Sequence, residues 1–206
     1  MGDTKTIDRL RRSITRGLPG WDAQKLMMPE TRKQFKLSVM DELHPAAVLI
    51  ALFPANGSWR FPLIRRTDDG FAHSGQIALP GGRKEGSESA IDTALREAKE
   101  EVNLPPSEIE ILGKTSQLPI PVSKHIVQPI IGFMNREPDL QPEPKEVAEI
   151  ITISLEAFAM LDIQTEVRQF SGVDFQIPYF EIEGHRVWGA TGMILSEFRH
   201  ILSDVV

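Results

Sequence analysis

The chain has 206 residues, 41% of them hydrophobic and 25% charged, with a net charge of −6; this suits one domain, with or without an extension, and argues against nucleic acid as a partner. The absence of cysteine excludes disulfides, thiolate metal sites and cysteine nucleophiles. No apolar run approaches the roughly 18 residues of a membrane span, and the N-terminal MGDTKTIDRLRRSITRGLPGW lacks a secretory core, so a cytoplasmic protein with no membrane partner is expected.

Ile7, Leu10 and Ile14, at spacings of three and four, predict an amphipathic helix over residues 4–16 that Gly17 to Gly20 ends. From there to about Met40 the chain reads as an irregular or partly helical arm. Residues 1–40 are thus expected to form an extension ahead of a domain spanning 41–206. The apolar stripe of the extension either covers that domain or packs across a two-fold homodimer. Ala46–Phe53 (AAVLIALF) predicts a buried strand, and a strand near Arg60–Arg66 completes a hairpin bent at Asn56-Gly57. Gln76–Leu79 predicts a short strand stopped by Pro80-Gly81-Gly82. Residues 87–102 follow a helical pattern, while 109–116 and 125–134 read as strands. The Pro-rich segment 134–146 reads as a surface loop, and Glu149–Ile153 as another strand. A second hairpin is expected to pair Gln176–Ile182 with His185–Trp188 across Glu183-Gly184, ahead of a helix near Thr191–Leu202. Mixed strands with two or three helices predict a layered α/β domain.

The helix over 87–102 carries the chemistry. At 100° per residue, Ile91, Ala94, Leu95, Ala98 and Val102 form one apolar stripe. Glu97, Glu100 and Glu101 form an adjacent row, because spacings of three and four share a face. Like charges so placed cost about 0.2–0.5 kcal/mol per pair, and a hard divalent cation with oxygen ligands reverses that sign. Arg96 can pair with Glu100, and Asn103 can cap the helix in the left-handed conformation. Pro80-Gly81-Gly82 lets the backbone turn tightly and offers bare carbonyl oxygens. A helix bearing several Glu is usually just a solvated face. Six fixed positions at Gly82, Glu88, Arg96, Glu97, Glu100 and Glu101, however, arise by chance in only about one chain in 10⁵ of this length.

This segment resembles the Nudix box, G-x5-E-x7-R-E-U-x-E-E-x-G-U, with U a bulky apolar residue. Gly82, Glu88, Arg96, Glu97, Glu100, Glu101 and Leu104 occupy its slots, while Ala98 replaces a larger aliphatic and Asn103 the last Gly. The resemblance implies an α/β/α sandwich around a mixed β-sheet and a Mg²⁺-dependent diphosphatase, with Mn²⁺ the alternative ion. It further implies Glu97 and Glu101 as the main metal ligands, Glu100 on a second ion, the Gly81 carbonyl as a further metal ligand, and Glu88 and Arg96 as braces. The preceding LIRRTDDGFAHSGQIALPGG is similar to the signature of the coenzyme A diphosphatase subgroup through Leu63, Arg66, Thr67, Gly75 and Pro80-Gly81-Gly82. Phe71 stands in its second Arg slot and Leu79 in its Phe slot. Segments 121–133, 146–150 and 188–195 are similar to later parts of the same subgroup. Arg66, His73 and Gln76 are the expected substrate contacts.

A divalent ion would neutralise the diphosphate and make water a competent nucleophile near neutral pH. A further carboxylate takes the proton: Glu100 from the helix, or Glu146 or Glu149 beside the Pro-rich loop. The expected substrate is a small nucleotide, coenzyme A or an acyl-coenzyme A giving 3′,5′-ADP and 4′-phosphopantetheine. ADP-ribose or NADH is the alternative. A noncatalytic nucleotide-binding module is less favoured, because all four box glutamates are present.

Overall fold

Eight hydrophobic or small residues in succession, Ala46 to Phe53, become the middle of β1 (His44–Ala55), the strand on which the fold is assembled. The computed structural model describes residues 4–30, 43–68, 75–170 and 172–206. A strand buried on both faces needs neighbours on both edges to satisfy its amides. On one edge β1 runs parallel to β7 (His125–Phe133), from His44↔His125 to Leu52↔Phe133. The other edge is shared. Its C-terminal end pairs with β2 (Ser58–Arg66) in the hairpin turned by Asn56-Gly57, both with positive φ as a tight hairpin requires. Its N-terminal end pairs with β4 (Gly81–Arg83) through Ala46↔Arg83 and Val48↔Gly81. The glycine turn therefore begins a strand rather than only ending β3 (Ile77–Ala78), as the sequence suggested. Bare Gly-Gly backbone can lie close against β1, where side chains could not.

Around this core, β5 (Glu110–Lys114) and β6 (Leu118–Ile120) pair with β7, while β3 and β8 (Val147–Ser154) pair with β2. The result is an eight-stranded mixed sheet. β9 (Gln164–Phe170), β10 (Val173–Ile182) and β11 (His185–Trp188) make a separate three-stranded antiparallel sheet. The expected hairpin across Glu183-Gly184 is there, from Tyr179↔Trp188 to Ile182↔His185. β4, β6, β9 and the short helix α4 (Leu155–Ala159) were not anticipated.

Helices cover both faces of the main sheet. α3 (Ala90–Val102) packs on β1, β4 and β7. Its start is set by a capping box in which Ser89 and Asp92 exchange hydrogen bonds, three residues later than the helical pattern suggested. Asn103 ends it in the left-handed conformation, its amide donating to the Lys99 carbonyl and that of Leu104 to the Ala98 carbonyl. On the opposite face, α5 (Gly189–Leu202) supports α1 (Thr4–Arg16) and α2 (Trp21–Gln24). Phe61, Phe158, Phe180 and Phe198 meet there with ring centroids 5.3–6.0 Å apart, mostly edge to face. Ile7 and Leu10 of α1 are buried in this same core. Glu197 of α5, fully buried, accepts from Gly20 N (3.1 Å), Gln24 Nε2 (2.8 Å) and Ser116 N (3.1 Å), pinning the N-terminal arm. The α1 stripe is thus covered within its own chain.

Candidate active site

The loop from Gly82 to Ser89 and the helix α3 hold the acidic residues, and their mutual contacts set each side chain. Glu88 accepts from Arg96 Nε (2.8 Å), Thr93 Oγ1 (2.9 Å) and Glu85 N (3.1 Å). These donors, the Arg96 guanidinium first among them, hold its carboxyl down at about 2. Arg96 also donates to the Arg83 carbonyl and to Glu97 Oε1 and Glu100 Oε2, each at 3.0 Å. One guanidinium therefore ties loop, helix and two of the three acidic residues together.

The apolar stripe sits differently from its sequence reading. Ile91 is exposed and Leu95 only half-buried, while Thr93, Ala94, Ala98, Glu101 and Val102 face the sheet. The small side chains of Ala94 and Ala98 allow close approach to β1 and turn Glu101 inward, so it is not at the margin. Its side chain is 2% exposed, accepts from Gly81 N at 2.8 Å, and lies 3.6 Å from Arg66 Nη1. Burial, opposed by the Gly81 amide and Arg66 and reinforced by the charges of Glu97 and Glu146, pushes its carboxyl up to about 8. Burial raises Glu97 as well, against the pull of Arg96.

The glycines are required by contact. A Cβ on Gly81, at φ +155°, would stand 2.3 Å from the Ala47 carbonyl oxygen; one on Gly82 would stand 2.3 Å from Glu97 Oε1. Glu97, Glu101, Glu146 and Arg66 thus gather where the two glycines pass α3. Glu100 is on the solvent side, held by Arg96. Glu146 ends the loop after β7, which is strapped to α3 by Gln141 N on the Val102 carbonyl and Glu143 N on the Glu101 carbonyl. Glu149 is turned away: it accepts from Arg65 Nε (2.9 Å) and faces His185 Nε2 (3.6 Å), contacts that lower its pKa. Gln76 is half-buried, and its carbonyl accepts from Arg66 N (3.0 Å). His73 lies outside the described residues.

Among the described residues no three acidic or histidine side chains already converge as a metal-ligand group, since Glu97 and Glu100 rest on Arg96 and Glu101 on Gly81. The donor set nonetheless fits a hard divalent ion. It consists of oxygens alone, and burial deprives the Glu97 and Glu101 carboxylates of solvation that a bound cation would offset.

Residues 43–171 match the NUDIX domain family. The chain belongs to the Nudix family. As a Nudix hydrolase it acts on pyrophosphate bonds, and hydrolases of this family generally use divalent metals such as Mg²⁺. Among its relatives is an uncharacterized Nudix hydrolase NudL of Pectobacterium atrosepticum, 33% identical over 184 residues, covering 83% of this chain and 92% of that one. Nudix hydrolase 15, mitochondrial, of Arabidopsis thaliana is 35% identical over 161 residues, covering 73% and 55%. Of solved structures, the C. elegans Ap4A hydrolase binary complex shares 22% identity and a TM-score of 0.47, covering 54% of this chain and 80% of that one. In this Nudix domain the box lies on the loop and helix that the spacing indicated. The sequence reading missed the burial of Glu101 and a group of basic residues on β9–β11 beside Gln76. The first depends on helix–sheet approach and the second on strand register, and neither leaves a local sequence signal.

Proposed function

We propose that this Nudix hydrolase cleaves the diphosphate linkage of coenzyme A or an acyl-coenzyme A with Mg²⁺, or alternatively Mn²⁺, giving 3′,5′-ADP and 4′-phosphopantetheine or its acyl form. The observation that carries the diphosphatase reading is the gathering of Glu97, Glu101, Glu146 and Arg66 at the Gly81–Gly82 turn. Glu97 and Glu101 would be the main metal ligands, with Glu100 on a second ion and the Gly81 carbonyl completing the set. When bound, the ion neutralises the diphosphate and activates water. Arg66, at the edge of the acidic group, orients one phosphate. Glu146 takes the proton of the attacking water, because Glu149 is engaged by Arg65 and His185. The water oxygen bonds to one phosphorus as the bridging P–O bond breaks, and the electron pair leaves with the other phosphate.

Coenzyme A is preferred over ADP-ribose or NADH on the similarity of residues 63–82 to the subgroup signature, with Arg66, His73 and Gln76 as substrate contacts. The test is kcat/KM for coenzyme A, dephospho-coenzyme A, ADP-ribose and NADH under one Mg²⁺ condition. Coenzyme A should lead; a tenfold lead for ADP-ribose or NADH would overturn the substrate while leaving the family untouched.

A cytoplasmic, two-fold dimeric protein is part of this reading. No described helix is long and apolar enough to cross a membrane. The α1 stripe no longer argues for a dimer, but Leu18, Trp21 and Leu26 on the N-terminal arm are exposed apolar side chains that a second copy could cover. Light scattering at micromolar concentration should give twice the 23.1 kDa chain mass; a monomer would rule the dimer out.

A further inference from the structure

A basic depression opens beside β3, on the side of that strand away from α3. Ile77 packs with the core beneath α5, whereas its neighbour Ala78 packs with the core beneath α3. Gln76 and Ile77 form one wall, and Arg168, His185, Arg186 and Trp188 of the three-stranded sheet form the others, around roughly 320 Å³. Arg168 and Arg186 share the single carboxylate of Glu166. Next to them Glu149 serves both Arg65 and His185. Two guanidinium groups thus share one carboxylate, with Glu181 the cross-strand partner of Arg186, in a chain of net charge −6. The Arg168 guanidinium lies 4.8 Å from the centroid of the Trp188 ring, and that of Arg186 lies 5.3 Å from Tyr179. These cation–π contacts hold two guanidinium groups in place, and each has further N–H donors beyond the one engaged by Glu166.

The depression and the acidic site share one strand edge. The Gln76 carbonyl holds the Arg66 amide, and the Arg66 side chain reaches Glu101. Ile77 and Gly81 are four residues apart, so their Cα atoms lie within about 14 Å, the reach of one nucleotide. An anion held here is within reach of a molecule whose diphosphate sits at the glycine turn.

We propose that this depression is the subsite for an additional phosphate monoester on the nucleoside half of the substrate, with Arg168 and Arg186 as its specificity-determining residues. The proposal rests on the diphosphatase reading and names where the phosphate that distinguishes coenzyme A from its dephospho form is held. It predicts that the chain binds a nucleotide bearing that extra phosphate more tightly than the same nucleotide without it.

The decisive measurement is calorimetric binding of 3′,5′-ADP and 5′-AMP to the full chain with Mg²⁺, which requires no turnover. The wild type should bind 3′,5′-ADP at least about 10-fold more tightly, the size of a charge-assisted contact. Arg186→Gln and Arg168→Gln, made separately and checked by thermal melting, should each reduce the ratio to about 3-fold or less, and Arg186→Lys should restore part of it. In turnover, the ratio of kcat/KM for coenzyme A over the dephospho form should fall in parallel, through KM. A wild type that does not discriminate, or a ratio unchanged in whichever variant melts like the wild type, overturns the subsite. If ADP-ribose is the better substrate while the binding ratio still depends on Arg186, the coenzyme A reading fails and the subsite stands.

Discussion

At the scale of single residues, the site couples burial to charge. The folded chain holds a proton on Glu101 up to about pH 8, whereas the unfolded chain releases it near 4.5. Between those values the native state binds more protons, so this contribution to stability is full below about 4.5 and is lost as pH rises through 8. Without divalent cations the melting temperature should fall from pH 5 to pH 8. A cost of only about 1 kcal/mol would show as roughly 2–4 °C in a chain of this size. Glu101→Gln should flatten the slope; a slope unchanged in that variant contradicts the assignment. The same residue bears on activity. Glu97→Gln and Glu101→Gln should remain folded and lose at least about 10²-fold in kcat, as expected when a Lewis acid is lost. Near-full activity of either at saturating Mg²⁺ would remove that residue from the site. The two glycines separate fold from function. Gly81→Ala meets backbone at Ala47 and should destabilise by about 2 kcal/mol or more. Gly82→Ala meets first the end of the Glu97 side chain, so it should fold nearly as well yet lose activity at least about tenfold. Equal stability of the two variants would show that the close approach at Ala47 is not a constraint.

At the scale of elements, what was legible depended on how local the signal was. α3 could be read because its acids repeat at helical spacing, and the β1–β2 hairpin because Asn56-Gly57 demands a tight turn. β4 could not, since Gly81-Gly82-Arg83 has no apolar alternation and becomes a strand only by pairing with Ala46–Val48. β9, mostly polar in QTEVRQF, is likewise ordered by pairing with β10. The acidic row was legible as a row, but its depth was not. That Glu101 is buried while Glu100 stays in solvent follows from Ala94 and Ala98 seating α3 on the sheet. The N-terminal arm was legible as amphipathic, and its destination lay in the distant α5. Leu10 is fully buried there, so Leu10→Ala should cost about 2–5 kcal/mol in denaturant unfolding and keep a single transition. A cost below 1 kcal/mol would mean that α1 is not part of the cooperative core.

At the scale of the whole molecule, two layers converge on one strand edge. α3 and the glycine turn bring carboxylates to one side of β3, and the three-stranded sheet brings guanidinium groups to the other. The acids would bind metal and diphosphate, and the basic group would select what the diphosphate carries. A net charge of −6 makes the pair of guanidinium groups near Gln76 a matter of placement, since the chain as a whole repels anions. The most direct test of this account is turnover of coenzyme A by the EDTA-treated protein as Mg²⁺ is added back, with the products identified. The account predicts no turnover before addition, and 3′,5′-ADP with 4′-phosphopantetheine after it. Undiminished cleavage without divalent cations, or no cleavage of the diphosphate of coenzyme A at saturating Mg²⁺, would contradict it.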